Sequence, residues 1–207
     1  MAALGEADWS LASTCEGWTR REVLAHLLAI EEYWRALLDG TRSELLESYR
    51  GQGLITANEV IEAGVRSLAE LTPQQLLAAW IEQNLVSRTG FRDAEGRDLE
   101  SSIGPYPARL WAFHVAHEIA VHADDVDMPI DPAETADRQR WLAAVSRFAL
   151  TELKDDVSVE VSGDTYVVRQ GDLVIELDEA AFVAGTTGRA GPRALTPEER
   201  DLLSLGY

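Results

Sequence analysis

The sequence predicts a mainly α-helical protein: a helical bundle followed by a small α/β domain built on a three-stranded antiparallel sheet. Three observations carry this. Apolar residues recur at helical spacing through the first 153 residues. After Lys154 the period changes to two. Capping boxes and proline or glycine punctuation mark the ends of the segments. The expected division is therefore a bundle over residues 1–153 and an α/β domain over 154–207.

In chain order, Thr19 with Glu22 forms a capping box, and Val23, Leu27, Ile30, Trp34 and Leu37 follow at helical spacing until Gly40. A weaker helix covers 57–71. Thr72-Pro73-Gln74-Gln75 opens the next, which runs to Thr89. Residues 91–107, with two glycines, two prolines and mixed charge, read as a loop. A helix spans 108–124, Pro129 and Pro132 stop it, and a last long helix runs over 133–153. Three strands then start at Val157, Tyr166 and Leu173, separated by Ser162-Gly163-Asp164 and Gln170-Gly171-Asp172. Asp178 begins a short helix, a glycine-punctuated loop follows, and Thr196-Pro197 starts a terminal one.

Composition narrows the function. With 18 Lys+Arg against 36 Asp+Glu, the net charge of −18 excludes nucleic acid as a default partner and disfavours an anionic membrane surface. The apolar run Leu110–Val115, broken by His114, falls far short of the ~20 residues of a membrane span. A lone cysteine, Cys15, excludes a disulfide framework, and with no signal peptide the expected compartment is the cytoplasm.

The helix over 108–124 is apolar nearly all round, so it belongs in the centre of the bundle, yet it carries His114, His117, Glu118 and His122. A carboxylate there must protonate or find a cation. Glu118 and His122 stand four residues apart on one face and can ligate one metal, with zinc bonds of about 2.0–2.2 Å. The competing reading pairs Glu118 with Arg20, Arg21 or Arg109. His26 shares the core-facing stripe of Val23, Ile30 and Leu37. It is either a core histidine bonded to a backbone carbonyl or a third ligand across the bundle. Two histidines and one carboxylate leave coordination positions open, as a catalytic site requires.

The segment Asp8-Trp9 … Cys15-Glu16-Gly17-Trp18-Thr19-Arg20-Arg21-Glu22-Val23-Leu24-Ala25-His26-Leu27, with His117-Glu118-Ile119-Ala120-Val121-His122-Ala123-Asp124-Asp125 further on, resembles the two motifs of the mycothiol-dependent maleylpyruvate isomerase family, one branch of the DinB-like metal-binding four-helix bundles. The resemblance implies that His26, Glu118 and His122 hold a divalent metal, zinc by preference. It implies a supporting role for Asp125, mycothiol as thiol cosubstrate, and a small-molecule electrophile as substrate. It also implies that Arg189, in Gly188-Arg189, orients an anionic group of that substrate. The expected chemistry is isomerisation through a transient thiol adduct, or transfer of the thiol; the acidic surface favours transfer over a dianionic substrate. A metal-activated hydrolase and a non-catalytic bundle acting as a binding or regulatory protein are the alternatives.

Two departures from the family stand out. Only seven residues precede Asp8, where the family has a full first helix, so the bundle's first helix is short or missing. That leaves an apolar groove to be filled by a rearranged segment or by a partner chain, as in a homodimer, unless the natural start lies upstream. The C-terminal pattern is loose. Among the remaining residues, Arg88, Arg92, Arg97 and Arg109 flank the loop before the metal helix and form either a solvated charged loop or an anion-holding patch. His114 is either a hydrogen-bonded core residue or an acid–base group. His117 faces away and receives no role, and neither does Cys15, with Glu16 beside it.

Overall fold

A computed structural model describes residues 4–101, 104–189, 191 and 193–205. It is mainly helical, with a three-stranded antiparallel sheet near the C-terminus. Packing divides the chain into two compact units, Met1–Met128 and Pro129–Tyr207.

The first unit holds α1 (Arg20–Ala29), α2 (Glu31–Asp39), α3 (Arg42–Gly51), α4 (Ala57–Ser67), α5 (Pro73–Asp93) and α6 (Ala108–Asp125). Only Ile30, itself helical in its dihedrals, separates α1 from α2, so the two act as one broken helix. The capping box starts it as the sequence predicts: Thr19 Oγ1 accepts from the Glu22 backbone N–H, and the Glu22 carboxylate accepts from the Thr19 backbone N–H at 2.7 Å. The long α5 packs along both α1 and α2, while α4 and α6 pack on α1. Leu24, Leu27, Leu37 and Leu76 are fully buried between them, each stabilising the fold by about 1.5–3 kcal/mol.

Among the described residues, a single 3-10 turn, Glu6–Ser10, precedes α1 and buries Trp9 against Leu24 and Leu76. A bridge between Ala12 and Thr19 closes the next segment, and Gly17, at φ +83°, turns it. Further along, Glu31 crosses from α2 to α5 with 1% exposure. Its two oxygens accept from Asn84 Nδ2 at 3.0 Å and Ser87 Oγ at 2.5 Å. Burial pushes the Glu31 carboxyl up, and the hydrogen bonds from Ser87 and Asn84 oppose that rise.

Two elements differ from expectation. The stretch read as a loop contains a hairpin, β1 (Asp98–Ser101) and β2 (Gly104–Pro107), with Leu99 paired to Tyr106 and both side chains buried. Strands of four residues with two prolines are too short to show alternation. The helix α3 carries no buried residue and so leaves no apolar stripe to read.

The second unit holds α7 (Pro132–Leu153), the meander β3 (Val157–Ser162), β4 (Thr165–Gln170) and β5 (Leu173–Asp178), then α8 (Glu179–Thr186) and α9 (Pro197–Leu203). Each hairpin turns on a left-handed glycine, Gly163 and Gly171, as the two-residue loops require. Val159, Val168 and Ile175 form the buried face. The helix α7 packs on α8 and β3 and belongs with this unit, so the division by packing falls after Met128, whereas periodicity grouped 133–153 with the bundle. A helix stripe shows that a face is buried and does not name what buries it. Gly185, read as loop, lies inside α8, where a Cβ would meet Leu203 at 2.6 Å.

Thr19→Ala is expected to lower the unfolding free energy by about 1 kcal/mol, measured by urea denaturation at pH 7. Hydrogen bonds from the Thr19 backbone and hydroxyl hold the Glu22 carboxyl below its ordinary value. Its contribution is complete above the unfolded carboxyl value, about 4.3, and is lost as pH falls through the lower folded value. Glu22→Gln should flatten the pH dependence of stability in that acid window.

Candidate metal centre

Two helices bring the site together. His26 projects from the middle of α1, and Glu118 and His122 lie one turn apart on α6, which packs against α1. His26 Nε2 is 3.0 Å from Glu118 Oε1, and His122 Nε2 is 3.2 Å from the same oxygen. The two imidazole rings meet edge to face at 4.9 Å, and Trp18 covers His26 with ring centroids 5.4 Å apart. All three sequence-predicted residues thus converge, with ligand atoms within 4.8 Å of one another. Both histidines are buried, and the Glu118 side chain is 13% exposed.

The arginine alternative does not hold. Arg20 pairs with Asp127, and Arg21 donates to the carbonyls of Leu68, Ala69 and Leu71 at the end of α4. Arg109 lines a separate cavity on α6. Among the described residues no arginine pairs with Glu118.

The far side of His122 is equally well built. Its Nδ1 lies 2.8 Å from Asp125 Oδ2, one turn on along α6, where Asp125 is 1% exposed. Asp125 also accepts from the Thr14 hydroxyl and from Cys15 Sγ at 3.1 Å, and its backbone carbonyl accepts from the Thr14 N–H at 3.2 Å. Cys15 Sγ is 3.9 Å from His122 Nδ1, so Cys15, His122 and Asp125 form a second group able to hold a metal. The sequence reading gave Cys15 no role. Its place is set by the bridged segment between Ala12 and Thr19, a tertiary feature with no local signal beyond Gly17.

Electrostatics follow from these contacts. Burial disfavours the Glu118 carboxylate, but hydrogen bonds from His122 and His26 outweigh it and hold the group well below the usual carboxylate range. Burial also disfavours a charged His122, yet its hydrogen bonds to Asp125, Cys15 and Glu118 push it up to about 11. Each ring nitrogen of His122 faces a carboxylate oxygen, an arrangement that favours the protonated ring. Glu118 Oε1 lies 3.0–3.2 Å from two imidazole nitrogens. Such spacing suits hydrogen bonds and also neighbouring ligands around a tetrahedral zinc, which lie about 3.3 Å apart. Two neutral imidazoles and one carboxylate are a donor set for zinc, nickel, manganese or iron.

The other candidates lie elsewhere. His114 pairs with Tyr106, whose hydroxyl is 3.1 Å from its Nε2, and packs beside Trp111. His117 is buried at 1% exposure. Arg189 belongs to the second unit, follows the left-handed Gly188 at the end of α8, and donates to the Thr187 carbonyl.

The profile of the mycothiol maleylpyruvate isomerase N-terminal domain matches residues 1–127. The fold is similar to that of the crystal structure of a mutant mycothiol-dependent maleylpyruvate isomerase, with a TM-score of 0.53 and 17% identity over 73% of this chain. The match spans 64% of that chain's length. No protein among those with curated functions matches. No helix of the described residues is long and apolar enough to cross a membrane. The matched segment contains α1 and α6 with all three converging side chains, and the chain belongs to the mycothiol maleylpyruvate isomerase family through this N-terminal domain.

Proposed function

We propose that this protein is a metal-dependent enzyme that uses a low-molecular-weight thiol, mycothiol by family, to isomerise a small electrophile or to transfer the thiol onto it. The observation that carries the reading is the convergence of His26, Glu118 and His122, from two helices, on one buried point. No hydrophobic packing need explains two imidazoles and a carboxylate there, and the set has the composition of an open catalytic site.

His26 and His122 would each present Nε2, and Glu118 Oε1, to a divalent ion such as zinc. Such an ion supplies Lewis acidity that keeps a bound thiol sulfur as thiolate near neutral pH. The remaining work falls to the chain. Asp125 accepts the Nδ1 proton of His122, so the opposite nitrogen faces the site with its lone pair. Thr14 and Cys15 occupy both oxygens of Asp125 and hold that carboxylate in place. Trp18, its indole N–H donating to Glu62 at 3.0 Å, lies against His26 and limits its rotation. The assignment of Arg189 to an anionic group of the substrate rests on the family resemblance of Gly188-Arg189.

Protein purified without chelator should contain close to one equivalent of a divalent ion per chain by elemental analysis, and His26→Ala or His122→Ala should retain less than a tenth of it. A metal-free wild-type chain that gains no thermal stability on zinc titration would refute the proposal. Asp125→Ala should weaken zinc binding about 10–100-fold while the fold persists by circular dichroism. Turnover of maleylpyruvate, or of a haloarene or epoxide, should require mycothiol. Turnover at the same rate without thiol would instead identify a metal-activated hydrolase. Arg189→Ala should raise KM for an anionic substrate and leave metal content unchanged; an unchanged KM removes Arg189 from the site.

A further inference from the structure

Outside the metal centre, α5 and α6 enclose a cavity of about 650 Å³ on the bundle surface, within the range of small-molecule sites. Phe91, Val115 and Ile119 form its floor, and Ala112, Phe113 and Ala116 line its α6 side. Phe113 is 47% exposed, and Ile81 and Leu85 on the adjoining face of α5 are 54% and 64% exposed, so the apolar surface extends beyond the cavity. None of the lining residues is a proposed metal ligand.

The polar part of the lining is unusual for this chain. The protein carries 36 acidic and 18 Lys+Arg residues, yet Arg88, Arg92 and Arg109 all line this cavity, against one carboxylate, Glu95. Arg88 and Arg92 stand at i and i+4 on α5, where like charges repel. Arg109 stands in the first turn of α6, where the helix dipole already adds positive potential and no acidic residue balances it. Among the described residues, none forms an ion pair or side-chain hydrogen bond with any of the three. Three unpaired guanidinium groups beside an apolar floor are complementary to one kind of molecule.

We propose that this cavity binds an amphiphilic monoanion: a carboxylate with an aliphatic or aromatic tail, the head held by Arg88, Arg92 and Arg109 and the tail laid on Phe91, Val115 and Ile119. Guanidinium groups match a carboxylate in planar, charge-assisted hydrogen bonds, and neutralising one anion there relieves the repulsion among them. Of the four arginines that flank this region in sequence, Arg97 is absent from the lining, which supplies an internal control.

The test uses the full-length protein, with 8-anilinonaphthalene-1-sulfonate as fluorescent probe and decanoate as competitor. Decanoate should displace the probe saturably, one per chain, and its uncharged analogue 1-decanol should bind at least tenfold more weakly. Arg88→Glu/Arg92→Glu should weaken decanoate at least tenfold. Ala116→Trp, at an exposed position of α6, should abolish binding in protein that remains folded by circular dichroism. Arg97→Glu and His122→Ala should change affinity less than twofold; the second variant keeps this result separate from the fate of the metal centre. Equal binding of decanol, an equal loss with Arg97→Glu, or no saturable displacement from folded wild type overturns the proposal. So does a stable dimer by light scattering that excludes decanoate, because the groove is then occupied by a second copy.

Discussion

A carboxylate set inside an apolar helix bundle has to be answered by hydrogen-bond donors or positive charge, and Glu118, unlike Glu31 with its Asn84 and Ser87, is the one answered by imidazoles. Its answer comes from one histidine on its own helix and one on α1, which obliges the two helices to face each other at this level. The capping box at Thr19 matters for the same reason. It secures the first turn of α1, the helix that carries His26. The apolar residues around the cluster would allow many packings of two helices; the need to satisfy one acid selects among them.

The second layer extends that logic. Asp125 lies a turn beyond His122 and brings in Thr14 and Cys15 from a segment with no helix of its own. The Glu118 carboxylate, the imidazole of His122 and the buried Asp125 form a line from the metal centre to the loop before α1. The same line that orients His122 for a cation also holds the N-terminal segment against the end of α6. Support of the ligand and support of the fold are here the same hydrogen bonds.

Much of this was readable in the residues. The caps at Thr19 and Thr72, the three-strand meander and the spacing of Glu118 and His122 are local signals, and local physics places them. His26 could be placed on the buried stripe of its helix, but whether its ring met a carbonyl or a carboxylate depended on which helix lay opposite. The grouping of α7 was hidden for a related reason: its stripe is as apolar facing a sheet and α8 as it would be facing the bundle. The β1–β2 hairpin was hidden by its brevity and its prolines, and Cys15 by depending on a bridge between Ala12 and Thr19. The arginine alternatives for Glu118 were likewise a question of distance, and the other contacts of Arg20 and Arg21 answer it. Membership of the family fixes the N-terminal fold; chemistry has to be argued from side chains, because one fold supports many reactions.

The imidazole of His122 has no idle edge: one nitrogen looks inward to Glu118 and the other outward to Asp125, whose own oxygens are taken by Thr14 and Cys15. The stretch ahead of α1 therefore works as a clasp. Peeling it away would strip the outer carboxylate of its donors and release the ring to pivot, so the grip on anything seated at the inner edge is only as firm as that short strap.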